Sequence, residues 1–180
     1  MSAPPPTRRP RLTLGLAAAL LLAAHGLHAQ DTAAEFWVLP RANIEADRPC
    51  WTAAAHYQNL NPWLLQAIGW VESRHDPNAV HLNHDGTVDL GLMQINSSWW
   101  GQLRGYGITR ADLRNACIST YVGAWVLRQA WDRYGNSWKF IAAYNTGTVS
   151  TRAQYRTGLA YARRVYQAYA RIVSGRLPGS

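Results

Sequence analysis

The longest regular pattern in the chain runs from Asn115 to Tyr134, where Ile118, Val122, Trp125 and Val126 share one stripe at helical spacing and Gly135 closes the run. A helix of that length must bury its stripe against other elements, and most of the remaining sequence supplies helices. Thr52–Tyr57 suits a first helix, stopped near Asn59. Asn61-Pro62 opens a second, because asparagine can cap free amides and proline fits the first turn; this helix runs through Trp63 to Glu72 and fades before Pro77. Leu92–Trp100 reads as a further helix, Thr109–Leu113 as a short capped one, and Ser137–Tyr144 as another closed by Asn145-Thr146-Gly147. Thr148–Arg156 is polar and loop-like, and Thr157–Val173 makes a terminal helix. Only Asp85-Gly86, between Val80 and Leu90, carries a hairpin-turn signal, so a small β-hairpin or long loop is expected there. No internal repeat is present. The expectation is one mainly α domain with little sheet.

The N-terminus has a different character. Arg8, Arg9 and Arg11 precede an uncharged run of Ala and Leu from Leu12 to Ala24, and Leu27-His28-Ala29 offers a small residue before Gln30. That is the layout of a secretory signal peptide cleaved near Ala29, with an apolar core shorter than a membrane span. An uncleaved N-terminal anchor is the alternative. Ala33–Asp47 has no strong periodicity. The chain therefore divides into a leader (1–29), an extended arm (30–49), a helical domain (50–174) and a flexible tail (175–180). Without its leader the chain keeps about 150 residues, enough for one domain with a sizeable core.

The leader carries three of the 18 basic residues and none of the 10 acidic ones, so the remainder has a net charge of +5. A modestly basic surface suits an anionic polymer. It does not indicate nucleic acid, because the arginines are scattered and no nucleic-acid motif occurs. The pair Arg163-Arg164 falls on a helix, where a solvated face explains it. Cys50 and Cys117 are the two cysteines of the chain. In an exported protein they are most simply a disulfide; a catalytic thiol or two free buried thiols are the alternatives, and neither cysteine lies in a nucleophile motif. With scattered histidines they form no recognisable zinc site, so no metal and no cofactor is expected.

The acidic inventory is short. Of three glutamates, Glu35 and Glu45 lie in the arm, whereas Glu72 falls four residues after Ile68 and seven after Leu65, on the apolar face of its helix. A carboxyl in such a place is hard to ionise, so its pKa should rise above about 4.3 and suit it to general acid work. A plain surface glutamate beside Ser73 and Arg74 is the competing possibility.

The surrounding motifs bear on that choice. Glu72-Ser73 is followed by Gly91-Leu92-Met93-Gln94-Ile95-Asn96 and then by Ala143-Tyr144-Asn145-Thr146-Gly147. In this order and at these separations they resemble the soluble lytic transglycosylase domain, a relative of goose-type lysozyme, over about Cys50 to Val173. The cysteine pair and Trp99-Trp100 look most like the small single-domain members that accompany secretion systems and pili. The resemblance implies a lysozyme-like α domain with the hairpin or loop beside an active-site cleft. It makes Glu72 the catalytic acid and base, Ser73 a support for the helix end, Gln94 a sugar partner and Met93 an apolar wall of the cleft. Tyr144 and Asn145 would face the glutamate, and Tyr161 on the last helix would point toward the site. Thr146 departs from the alanine common at its position. Each residue also has a structural alternative: Met93 and Leu92 as core, Trp99 and Trp100 as packing or sugar platform, Tyr161 as half core, and Asn145-Thr146-Gly147 as a helix end.

The same resemblance implies peptidoglycan glycan strands as substrate, a periplasmic location, 1,6-anhydro products and secretion or pilus components as partners. Ordinary glycosidases use two carboxylates. Here the matched motifs supply one, which favours the muramic 6-hydroxyl over water as the attacking group. Two rivals stand: a hydrolytic muramidase with Asp89 orienting water, and a non-catalytic wall-binding or scaffold module.

Overall fold

A computed structural model describes residues 49–176; the leader, the arm through residue 48 and the last four residues of the tail lie outside the described residues. Within them the chain forms α1 (Trp51–Tyr57), α2 (Pro62–Ser73), β1 (Val80–Leu82), β2 (Val88–Leu90) and β3 (Ile95–Asn96). A 3-10 turn at Ser97–Trp99 leads into α3 (Trp100–Gly105), and a second at Asp112–Arg114 precedes α4 (Ala116–Tyr134), α5 (Trp138–Thr146) and α6 (Arg152–Val173). The fold is mainly helical with a small antiparallel sheet, consistent with the lysozyme-like expectation.

Local chemistry explains the helix ends. The Asn61 side chain accepts from the amides of Trp63 and Leu64, with Pro62 in the first turn of α2. Asn115 caps α4 through the Ile118 amide, and Gly135 ends it at φ 63°. α6 begins five residues earlier than expected. Thr151 and Gln154 form a reciprocal capping box, which converts the second half of the polar stretch Thr148–Arg156 into the first turns of a helix.

The core lies where α2, α4, α5 and α6 meet, with α6 packed on both α2 and α5. Leu65 and Ile68 of α2, Val122 and Leu127 of α4 and Val165 of α6 are fully buried. Each such aliphatic side chain contributes about 1.5–3 kcal/mol through removal from water. Cys50 and Cys117 form a disulfide with Cα atoms 4.7 Å apart, tying the start of α1 to the first turn of α4. Closing that loop stabilises the fold by about 4 kcal/mol in the chain-entropy account. Among the described residues, no helix is long and apolar enough to cross a membrane.

The segment expected to be helical from Leu92 to Trp100 is helical only from Ser97 onward, as the 3-10 turn that leads into α3. Gly91 (φ 76°) and Gln94 (φ 48°) both occupy the left-handed region, which breaks the helix and makes a tight turn into β3. The hairpin thereby becomes a three-stranded sheet in the order β1-β2-β3, with Asp89 opposite both His81 and Asn96. Thr109–Leu113 is likewise not a regular helix. Its capping chemistry is present, since the Thr109 amide and hydroxyl donate to Asp112, but only a 3-10 turn follows.

Candidate active site

Glu72 stands in the last turn of α2. The helix stops at Arg74, whose left-handed backbone (φ 57°) returns its amide to the carbonyls of Gly69 and Trp70. The glutamate side chain thus opens into a cleft of about 580 Å³ between the sheet, the middle of α4 at Val126 and the C-terminal end of α5. Burial pushes its pKa from 4.5 to about 7; a hydrogen bond from Tyr161 opposes the rise, the charge of Asp89 adds to it and Arg164 moderates it. The Tyr161 hydroxyl donates to Glu72 Oε1 at 2.5 Å, leaving the other carboxyl oxygen for a proton.

Three contacts hold the turn from Gly91 to Asn96 against the helices. Ser73 Oγ donates to the Leu92 carbonyl (2.7 Å), Tyr144 Oη donates to the Met93 carbonyl (2.8 Å), and the Met93 amide donates to Ser119 Oγ (3.1 Å). Gly91 is required there twice over. Its φ is positive, and a Cβ would lie 1.9 Å from the Leu113 carbonyl oxygen. Gln94 spends its side-chain NH2 on the carbonyls of Ala79 and Gly91, so its amide oxygen is the group left for an incoming donor.

The opposite wall is the sheet. Asp89 accepts from Asn83 on one carboxylate oxygen (2.9 Å) and from Asn96 on the other (2.7 Å). Thr87 Oγ1 in turn accepts from both asparagines. Asp89, Asn83, Asn96 and Thr87 all line the cleft. Sequence reasoning did not place the two asparagines or Thr87 in the site, and it named Asp89 only as a rival nucleophile. The available signal was the two-residue alternation through β2, where Asp89, and Thr87 just before the strand, alternate with Val88 and Leu90.

Of the residues expected here, Glu72, Gln94, Tyr144 and Asn145 border the cleft. Ser73 supports the turn from behind. Met93 is a correction: its side chain is fully buried, with its Sδ 3.2 Å from the position a Cβ would take at Gly69 and its Cγ and Cε 2.7 Å from the one at Gly123. It fills space that two glycines leave open and offers the site only its carbonyl. Tyr161 is also buried, at 1 % exposure, and touches Glu72 instead of the cleft surface. Burial beside Glu72 raises the pKa of both Tyr144 and Tyr161 well above 10, so both remain hydroxyl donors. Trp99 lines the cleft, braced edge-on by Trp125 at 5.1 Å, whereas Trp100 stacks under Arg110 away from it.

This arrangement can deliver a proton from Glu72 near neutral pH to a polar ligand held between amides and an indole. Among the described residues, no group of three or more His, Cys, Asp or Glu side chains is placed to hold a metal ion.

Comparison with known proteins agrees with the geometry. The family described as Transglycosylase SLT domain matches residues 49–166. The chain is 39% identical to the invasion protein IagB of Salmonella typhimurium (strain SL1344) over 76% of its own length and 83% of that protein. It is 38% identical to X polypeptide of Escherichia coli over 71% and 76% of the two chains. Protein IpgF of Shigella flexneri is 35% identical over 69% of this chain and 82% of its own.

Proposed function

Because the chain belongs to the transglycosylase SLT domain family, we propose that it is a lytic transglycosylase that cleaves the β-1,4 bond between N-acetylmuramic acid and N-acetylglucosamine in peptidoglycan. The observation that carries this is the Glu72 carboxyl, protonated up to about pH 7 yet open to a cleft lined by several polar side chains. Glu72 gives its proton to the glycosidic oxygen as the bond from muramic C1 breaks. The muramic 6-hydroxyl closes on C1, and its proton returns to Glu72. The glucosamine leaves with a free 4-hydroxyl, the muramic end becomes a 1,6-anhydro ring, and no water is consumed. Tyr161 steadies the carboxylate between the two transfers, and Gln94 and Asn145 hold the sugar.

Mass analysis of muropeptides released by the purified protein tests the proposal. Anhydro-muramic ends are expected. Reducing ends would favour the hydrolytic reading instead, which draws support from Asp89 in the same cleft. We further place the activity in the periplasm, in local wall remodelling as a secretion system or pilus is assembled; the relatives named invasion protein support that context. Affinity capture from envelope extracts should recover such components, and their absence would count against it.

A further inference from the structure

A second cavity, of about 470 Å³, lies between the C-terminal half of α2 and one face of α6. Arg164, Gln167 and Arg171 line it from α6 at helical spacing, Arg74 lines it from the end of α2, and Ala168 and Trp70 are also in its wall. Glu72 is the one residue that this groove and the cleft share. Among the described residues, none of the three arginines is in a salt bridge. Apart from Glu72 itself, no acidic side chain lines the groove. Arg74 sits over the Trp70 ring (5.6 Å) and Arg164 over the Tyr161 ring (5.5 Å). These contacts cover the ring faces and leave the guanidinium donors for a ligand.

Three guanidinium groups and a carboxamide around a small floor suit carboxylates, which arginine binds in a planar, two-pronged fashion. If glycan occupies the cleft, the source of carboxylates is near. Muramic acid carries a short peptide on its lactyl group, and the sugar at Glu72 sits beside the one residue that the cleft and the groove share. We propose that the α2–α6 groove binds the free carboxylates of the wall peptide attached to the muramic residue at the cleavage site. This rests on the proposed wall-cleaving function. It makes peptide-bearing glycan, and not bare glycan, the preferred substrate.

The test uses the paired substitution Arg74→Gln with Arg171→Gln, neither residue lining the cleft. KM for peptide-bearing glycan should rise about tenfold, equivalent to about 1.4 kcal/mol, while kcat and KM on glycan stripped of its peptides stay at wild-type values. Equal loss on both substrates, or none on either, overturns the proposal. Unchanged cleavage of stripped glycan also shows that the variant is folded. A direct measurement does not depend on catalysis: titration of the wild-type protein with the soluble stem peptide, followed by amide chemical shifts. Perturbations at Arg164, Gln167 and Arg171 are expected, and should vanish when the peptide carboxylates are amidated. Binding that survives amidation, or no binding, overturns the proposal. A protein that binds the peptide but cleaves no wall would instead refute the proposed function alone.

Discussion

The two walls of the cleft treat their carboxyl groups in opposite ways. On the helical wall, Glu72 is pressed against buried Tyr161, and desolvation dominates its environment. On the sheet wall, Asp89 has an amide donor on each oxygen. A helix end surrounded by apolar packing has few donors to spare, because its own amides are already bonded; short strands can present a row of polar side chains to one face. The difference teaches how one cleft can hold a proton donor beside a carboxyl group hydrogen-bonded on both oxygens.

The severest way to break the contrast is Glu72→Gln. Wall lysis should fall by about three orders of magnitude or more while glycan binding and fold persist, checked by turbidity of cell-wall suspensions. A variant that lyses wall at the normal rate would sink the assignment. Next in size is Gly91→Ala, which breaks the turn joining the two walls. The Cβ clash with the Leu113 carbonyl and the positive φ together should lower stability by about 3 kcal/mol or more, read from denaturant unfolding.

The helical wall also leaves a mark on stability. A carboxyl whose folded pKa is raised binds its proton more tightly in the native state, so its contribution is fully present below pH 4.5 and is lost as pH rises to about 7. Glu72→Gln removes that loss. The variant should match the wild type at pH 4 and exceed it above pH 7 by up to about 3 kcal/mol, seen as a higher Tm at pH 8 only.

The smallest effects sharpen the contrast by pulling in opposite directions. Tyr161→Phe removes the hydrogen bond that lowers the Glu72 pKa, so the alkaline limb of kcat/KM should move up, on the order of one pH unit. Asp89→Asn removes a charge that raises it, so the limb should move down by less. If both substitutions move the limb the same way, the two walls do not act on Glu72 as described. Retained anhydro products from Asp89→Asn would also show that Asp89 is not a water-activating base.

How legible each part was depends on the range of the forces that shape it. The helices α2, α4 and α5 follow from local spacing and caps, and Asn61, Asn115 and Gly135 mark their ends in the chain itself. The start of α6 was legible too, in the Thr151-x-x-Gln154 box, although the polar stretch around it suggested a loop. The place of Glu72 on an apolar face was equally a matter of spacing, because helical period alone sets which side chains share a side. The turn at Gly91–Asn96 was not legible. Its left-handed Gln94 is held by carbonyls of Ala79 and Gly91, and its Met93 fills a gap between two helices far apart in sequence. Local propensity has no access to such contacts. The same holds for the site: residue order nominated Glu72, but its raised pKa, its bond to Tyr161 across 89 residues and the asparagine pair around Asp89 arise only when distant segments pack and water is excluded.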